Sequence, residues 1–243
     1  MSELSNYIDE YLKTEYTLKS TLKDSVQSSV YLYQKNDSAK QIVKISQKNR
    51  NDHVLRRLRG QLHKNTATIY EVCSNDEDVT VLEEYISGAT LRHIVEANGG
   101  TLKRELAVKY ALDICNGLVF IHSLGIIHRD IKPSNIIITE QGEAVIIDFG
   151  IARLTDDSKY ADTKNLGTAG YAAPEQFGIY QSGPVTDIYA VGVLLNELLL
   201  GVHPTIDTPK GKLGKVINKC IMAQMSKRYQ NVSELAEVLN KLL

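Results

Sequence analysis

The sequence predicts an α+β fold in which a small, mainly β N-terminal part precedes a larger helical part. From Tyr16 to Ser46 the chain is rich in Val, Tyr and Ile and is interrupted by polar turns, which is typical of strands. Beyond Gly88 the pattern becomes helical, since apolar residues recur at four-residue spacing from Leu102 to Leu118. The 243 residues, 43% of them hydrophobic, can bury one large core or two adjoining ones.

Composition narrows the class of partner and the redox environment. A formal net charge of -1 gives no reason to expect nucleic acid or an anionic membrane surface as a partner. The three cysteines, Cys73, Cys115 and Cys220, lie far apart without C-x-x-C spacing. We therefore expect reduced thiols packed as small hydrophobic groups rather than a disulfide or a metal site.

The sequence shows no segment that would place it in a membrane. Its N-terminus lacks a basic stretch followed by an apolar core, so we expect no signal peptide. The longest apolar run, Val191 to Val202, is interrupted by Asn196 and Glu197 and is too short to span a bilayer. These observations predict a cytoplasmic protein.

The N-terminal part begins with a short amphipathic helix, predicted from the spacing of Leu4, Ile8 and Leu12. Two strands follow, separated by the polar turn 35–38, and the second strand carries Lys44. A lysine flanked by apolar residues is unusual, because an unpaired ammonium is costly to bury. A basic stretch from Asp52 to Leu62 is then predicted to be helical.

Two short motifs, His128-Arg129-Asp130 and Asp148-Phe149-Gly150, carry the chemistry. Lys132 and Asn135 stand close behind Asp130. Together these residues offer a carboxylate that can receive a hydroxyl proton, a cation, and hard oxygen ligands suited to Mg²⁺. This is what phosphoryl transfer from a nucleotide requires.

The ordered motifs resemble the eukaryotic-type (Hanks-type) serine/threonine protein kinase family, in its bacterial form. The later segment Gly167 to Glu175, which ends in Ala-Pro-Glu, resembles the substrate-docking loop of that family. The resemblance implies a two-lobed protein-kinase fold in a single domain, residues 1–243. It places the N-lobe at about 1–84, the hinge at 85–88 and the C-lobe at 89–243.

The resemblance also implies roles for individual residues. Asp130 is expected to be the catalytic base, with Lys132 beside the moving phosphoryl group and Thr168 bridging the two. Asn135 and Asp148 are the expected ligands of Mg²⁺, and Arg129 is expected to pair with a phosphate on the loop, for which Thr163 is the favoured site; Thr155, Ser158 and Tyr160 are the other candidates. Structural roles are expected for Asp187, which would hold the catalytic loop, and for the pair formed by Glu175 and Arg228.

The expected ATP-binding residues lie mainly in the N-terminal part. They are Lys44, Ser25, Ser28, Val30, Ile42, Glu83, Glu84, Ile86 and Ile137. Two departures from the family stand out. The three glycine positions of the nucleotide loop fall on Lys23, Ser25 and Ser28, and no glutamate lies between Lys44 and Glu71 to pair with the lysine.

The missing glutamate raises the question of what holds Lys44. Our hypothesis is that Glu83, at the gatekeeper position, pairs with Lys44; Asp52 is the other acid to consider. The alternative is a register shifted by one residue, with Glu83 merely solvated.

The predicted function is Mg²⁺-ATP-dependent phosphorylation of Ser or Thr in protein substrates, with autophosphorylation through transient self-association. A first alternative is a pseudokinase scaffold, which the missing glycines and glutamate would suit. A second is a small-molecule kinase, which would not need the docking segment through Ala173-Pro174-Glu175.

Overall fold

A computed structural model describes residues 3–26, 28–48, 51–75, 78–156, 167–177 and 181–243, and the side chains from residue 7 onward within them. The chain divides into two compact units. The N-terminal unit comprises residues 1–63 and 67–86, and the C-terminal unit comprises residues 64–66 and 87–243.

The N-terminal unit is built on a five-stranded antiparallel sheet with the order β1-β2-β3-β5-β4. Its elements are α1 (Glu3–Glu15), β1 (Tyr16–Asp24), β2 (Ser28–Lys35), β3 (Gln41–Lys48), α2 (Asp52–Leu58), β4 (Ile69–Ser74) and β5 (Asp78–Glu84). The predicted opening helix and the hairpin that delivers Lys44 are both present.

The two faces of this sheet carry different side chains, because successive residues of a strand point in opposite directions. Val43 lies opposite Glu83 on β5, whereas Lys44 lies opposite Leu82. The face of Val43 and Glu83 therefore also carries Val30 and Ile45, which are paired across β2 and β3. We call this the α2 face, and we call the face of Lys44 the α1 face.

Each helix covers the face after which it is named. Ile8 and Leu12 of α1 pack with Ile42, Cys73 and Leu82, all less than 9% exposed. On the other face, α2 is fixed to Ser74 of β4, whose hydroxyl bonds to α2 side chains. Since Cys73 and Ser74 are consecutive in a strand, the two helices lie on opposite faces.

The predicted helix 52–62 is shorter than expected and ends at Leu58. Arg59 is extended and forms a parallel bridge with Ile69, and Gly60 has a φ of 74°. The N–H of Gly60 bonds to the carbonyl of Ile69 on β4 in place of a helical partner, whereas the N–H of Arg59 keeps its helical bond to the carbonyl of Leu55.

The C-terminal unit is mainly helical. Its elements are β6 (Gly88–Thr90), α3 (Leu91–Ala97), α4 (Arg104–Ser123), β7 (Ile126–Ile127), β8 (Ile136–Thr139), β9 (Ala144–Ile146), β10 (Arg153–Leu154), α5 (Pro184–Leu200), α6 (Lys212–Cys220) and α7 (Val232–Asn240), with single 3-10 turns at Pro133–Asn135, Pro174–Phe177 and Met225–Lys227. The predicted α+β organisation is confirmed.

Helices α4 and α5 form the centre of the C-terminal core. Ile114, Leu118 and Ile121 of α4 and Leu194 and Leu198 of α5 are fully buried. Two small sheets, β6-β8-β9 and β7-β10, adjoin the catalytic motif in sequence, since β7 ends directly before His128 and β8 begins directly after Asn135.

Cys73, Cys115 and Cys220 are buried free thiols, as predicted. Within the described ranges, no helix is both long and apolar enough to cross a membrane.

Candidate active site

The catalytic loop gathers three hydrogen-bond donors around the carboxylate of Asp130. Lys132 Nζ donates to Asp130 Oδ2 at 2.6 Å, and Asn135 Nδ2 donates to the same oxygen at 2.9 Å. The hydroxyl of Thr168 donates to Oδ1 at 2.7 Å and accepts from Lys132 Nζ at 2.6 Å. Asp130, Lys132 and Thr168 thus form a closed triangle, although Thr168 is 38 residues away from Asp130 in the chain.

The geometry leaves Asp130 able to accept one more proton donor. A carboxylate has about four lone-pair positions, two on each oxygen. Lys132 and Asn135 occupy both positions on Oδ2, and Thr168 occupies one on Oδ1. The remaining position on Oδ1 is where a substrate hydroxyl can donate, which is the geometry that a general base needs.

Asp187 of α5 holds the backbone of this loop. Its carboxylate accepts the backbone N–H groups of His128 at 2.9 Å and of Arg129 at 2.8 Å, and it lies 2.7 Å from His122 Nε2. Complete burial alone would raise the pKa of Asp187. The hydrogen bond and charge of His122, together with the contacts of His128, outweigh burial, so the pKa of Asp187 is lowered and the carboxylate is ionised.

His128 is buried beneath the catalytic loop in its neutral form. Its Nδ1 accepts from the backbone N–H of Asp130 at 3.3 Å, so the proton is on Nε2, which donates to the carbonyl of Ile147 at 3.3 Å. The ring also packs against Phe149, with the two ring centroids 5.2 Å apart. Burial lowers the pKa of His128 against the opposing influence of Asp187.

Asn135 and Asp148, the expected magnesium ligands, lie on adjoining segments. The backbone N–H of Ile147 donates to the carbonyl of Asn135 at 3.0 Å. Asn135 uses its amide nitrogen on Asp130, which leaves its amide oxygen for a cation, and Asp148 is exposed with one oxygen bonded to the N–H of Gly150. An amide oxygen and a carboxylate oxygen are hard ligands, so this donor set fits Mg²⁺.

The backbone is strained at two of these positions. Arg129 has a φ of 66° and Asp148 a φ of 65°, a left-handed conformation that residues other than glycine seldom adopt. Such strain persists where the surrounding structure enforces it. At Arg129 the bonds from its N–H to Asp187 and from its side-chain Nε to the carbonyl of Ile151, 2.7 Å long, do so.

The docking segment is anchored by a buried ion pair. Arg228 makes two parallel bonds to the carboxylate of Glu175, of 2.7 and 2.8 Å, and both side chains are at most 1% exposed. Thr186 donates to the same carboxylate at 2.9 Å. The remaining Arg228 donors reach backbone carbonyls of Met222, Val185 and Ala223.

Four further contacts of this segment were missed by sequence reasoning. Gln176 donates to the carbonyl of Arg129 at 2.9 Å and so ties the segment to the catalytic loop. The hydroxyl of Tyr171 donates to Glu197 and accepts from Arg92, and His203 Nε2 lies 2.9 Å from the carbonyl of Gly170. No motif marks these residues, because each pair is far apart in sequence.

In the N-terminal unit, Lys44 pairs with an acid that the sequence did not single out. Its ammonium lies 2.5 Å from Asp9 Oδ1 of α1. The hypothesis that Glu83 holds Lys44 is wrong, because Glu83 lies on the α2 face and Lys44 on the α1 face. Asp52 is also not the partner, since its carboxylate bonds to Arg56 and Ser74.

The other expected nucleotide-binding residues are divided between the two faces. Ile42 is buried beneath α1, and the side chain of Glu84 accepts the backbone N–H of Thr68, whereas Val30 lies on the α2 face. The ATP-binding roles of these residues stay a prediction. The hydroxyl of Ser25 donates to the carbonyl of Ser28 at 2.9 Å, which closes the tip of the β1–β2 hairpin.

Three remaining residues complete the expected set. Ile86 is half-buried at the end of the N-terminal unit, and Ile137 is half-buried on β8, opposite Thr90 and Val145. Thr163, like Ser158 and Tyr160, lies outside the described residues, while Thr155 is exposed.

A loop base, a lysine, oxygen ligands for a cation and an anchored docking segment define a phosphotransferase site. The chain belongs to the protein kinase domain family, which it matches over residues 15–243. It is 33% identical over 205 residues to a Clostridium acetobutylicum protein named "Probable serine/threonine-protein kinase", covering 73% of this chain and 31% of that one. A protein of the same description from Clostridium perfringens is 31% identical over 223 residues, with coverages of 79% and 32%.

A third relative is the serine/threonine-protein kinase PknB of Mycolicibacterium smegmatis, which is 40% identical over 133 residues. That match covers 53% of this chain and 21% of the relative. The chain thus spans about a third or less of the length of these relatives.

Proposed function

We propose that this chain is a serine/threonine protein kinase that transfers the γ-phosphoryl group of ATP to Ser or Thr of protein substrates. The observation that carries the proposal is the triangle of Asp130, Lys132 and Thr168, with one acceptor position left on Asp130 Oδ1. The kinase relatives favour the same activity.

In this mechanism Asp130 receives the proton of the substrate hydroxyl while Lys132 balances the charge of the moving phosphoryl group. Thr168 holds the two side chains at a fixed separation. Asn135 and Asp148 would hold Mg²⁺, which supplies charge neutralisation to the nucleotide phosphates when it is bound. The docking segment that ends at Glu175 would place a peptide next to Asp130.

The proposal extends to regulation and location. Autophosphorylation during transient self-association would place a phosphate on Thr163. This phosphate would pair with the guanidinium of Arg129 and order the loop. We place the protein in the cytoplasm. The proposed substrates are proteins that carry an accessible Ser or Thr.

Asp130→Asn tests the proposed activity. The amide cannot accept the substrate proton as a carboxylate does, so phosphate transfer from labelled ATP with magnesium should fall by about 100- to 10,000-fold. Asp207→Asn, an exposed Asp-to-Asn change in the same unit, is the matched control and should keep wild-type activity. Wild-type protein that transfers no more phosphate than the Asp130 variant, to itself or to generic protein substrates, would identify a scaffold instead.

A further inference from the structure

The Lys44–Asp9 pair joins the central sheet to the N-terminal helix. The side chain of Lys44 is 14% exposed and that of Asp9 is 35% exposed, so the pair is partly shielded from water. An ammonium has three N–H donors, and Asp9 uses one of them. The remaining donors allow Lys44 to bind a second anionic group while Asp9 fixes its position.

The sheet geometry explains why the acid comes from α1. Lys44 lies on the α1 face, and α2 packs on the opposite face, so a glutamate on α2 would be on the wrong side of the sheet. The absence of a glutamate from Asp52 to Leu58 matches this arrangement. Asp9 is placed one residue after Ile8, which is buried against the same face.

A polar cavity of about 350 Å³ adjoins the ion pair within the N-terminal unit. Lys44 and Asp9 form part of its wall, together with the ion-paired Lys48 and Asp78 and with hydroxyl-bearing residues from the hairpin end and from β3: Ser25, Ser28, Ser29 and Ser46. Hydroxyls and an ammonium can donate to phosphate oxygens, and since the hydroxyl of Ser25 already donates to the carbonyl of Ser28, the donors that this wall offers include Lys44 and the hydroxyls of Ser28 and Ser29. Ser25, Ser28 and Lys44 therefore line one cavity, whereas Val30 and Glu83 are not among its lining residues.

We propose that Asp9 is a positioning residue that holds Lys44 towards this cavity, where the lysine binds the phosphate groups of ATP. The inference rests on the proposed function and names the residue that replaces the missing glutamate of α2. It makes α1 part of the nucleotide site rather than a packing element alone.

The test compares five variants: Asp9→Asn, Asp9→Glu, Lys44→Met, the exchanged pair Asp9→Lys with Lys44→Asp, and the control Glu10→Gln on the exposed side of α1. Binding of a fluorescent ATP analogue without magnesium gives Kd, steady-state kinetics give KM and kcat, and thermal unfolding gives Tm. By analogy with residues that orient metal ligands, Asp9→Asn should raise Kd and KM by about 10- to 100-fold and change kcat little. Lys44→Met should raise both at least as much, while Asp9→Glu restores most of the affinity and Glu10→Gln matches wild type.

The exchanged pair separates positioning from simple anchoring. It restores the ion pair and so should recover the wild-type Tm, but it removes the ammonium from β3 and should leave Kd high. Recovery of Kd by the exchange, a wild-type Kd for Asp9→Asn, or tighter binding in Asp9→Asn would each overturn the inference. The measurement of Kd requires no turnover, so these outcomes can be interpreted even if the wild type transfers no more phosphate than Asp130→Asn. A wild type that binds no nucleotide would overturn both proposals.

Discussion

At the scale of single residues, Glu175 and Arg228 show how two charges can be buried with hydrogen-bond partners for both. The guanidinium uses its donors on one carboxylate and on backbone carbonyls, so the pair is desolvated but bonded on both sides. Removing one partner leaves the other as an isolated charge in an apolar environment. The pair should therefore matter far more than a surface ion pair of similar length.

Arg228→Met should lower the free energy of unfolding by about 3–5 kcal/mol, because the carboxylate of Glu175 is left without its partner. Urea denaturation monitored by circular dichroism measures this loss. Lys64→Met, which breaks the exposed pair with Glu143, is the control and should cost about 1 kcal/mol or less. Equal losses in the two variants would contradict the structural role assigned to Arg228.

The sequence predicted the site residues best where they are close in the chain. Asp130, Lys132 and Asn135 lie within six residues on a turn stiffened by Pro133, so their local motif determines their proximity. The partner of Lys44 is 35 residues away, and its identity depends on which sheet face the lysine occupies. A shift of one residue in strand pairing reverses that face, and hydrophobic residues on both sides of Lys44 do not reveal the register.

At the scale of elements, helices α5 and α6 approach closely at a glycine. A Cβ added to Gly192 of α5 would lie 2.5 Å from the Cβ of Cys220 on α6. Both helices contribute buried residues there, so neither can move without opening a gap elsewhere in the core. The sequence pattern predicted both apolar faces but not the distance between them.

Gly192→Ala should destabilise the protein despite the higher helix propensity of alanine. Overpacking typically costs about 1–3 kcal/mol, and alanine returns up to about 1 kcal/mol of this through propensity. We expect a net loss of about 1–2 kcal/mol in chemical denaturation. Gly183→Ala, just before α5, has open space around the added methyl group and should change stability much less.

At the scale of the whole molecule, the groups buried beneath the catalytic loop make folding sensitive to acid. The pKa of His128 is lowered in the folded state, so below pH 6.5 the unfolded chain takes up a proton that the folded chain does not. Stability therefore falls as pH falls through this range. The lowered pKa of Asp187 acts in the same direction at still lower pH, since its carboxylate must stay ionised to accept two backbone N–H groups.

His128→Gln should flatten this dependence while keeping groups that can hydrogen-bond. Between pH 5 and 6.5, the free energy of unfolding of the wild type should fall with decreasing pH by up to about 1.4 kcal/mol per unit more than that of the variant. Denaturation curves recorded at a series of pH values give both slopes. Parallel slopes would show that His128 takes up its proton equally in the two states.

The chain as a whole carries the catalytic motifs in one unit and the Lys44–Asp9 pair in the other. Because it spans about a third or less of the length of its relatives, the substrate preferences of those proteins do not transfer with the fold. Family membership could be predicted from a few ordered motifs. Contacts between residues that are distant in sequence, such as Asp9 with Lys44 and Gln176 with Arg129, could be identified only from the structure.

The left-handed backbone at Arg129 and Asp148 has a consequence for mutation at these two positions. Glycine would relieve each conformation, which costs other residues about 1–2 kcal/mol. It would also remove the bond from Arg129 to the carbonyl of Ile151 and the bond that Asp148 accepts from the N–H of Gly150. Relief of backbone strain and loss of these contacts therefore oppose each other at both positions, and under the proposed function glycine would remove an expected phosphate partner and an expected magnesium ligand as well.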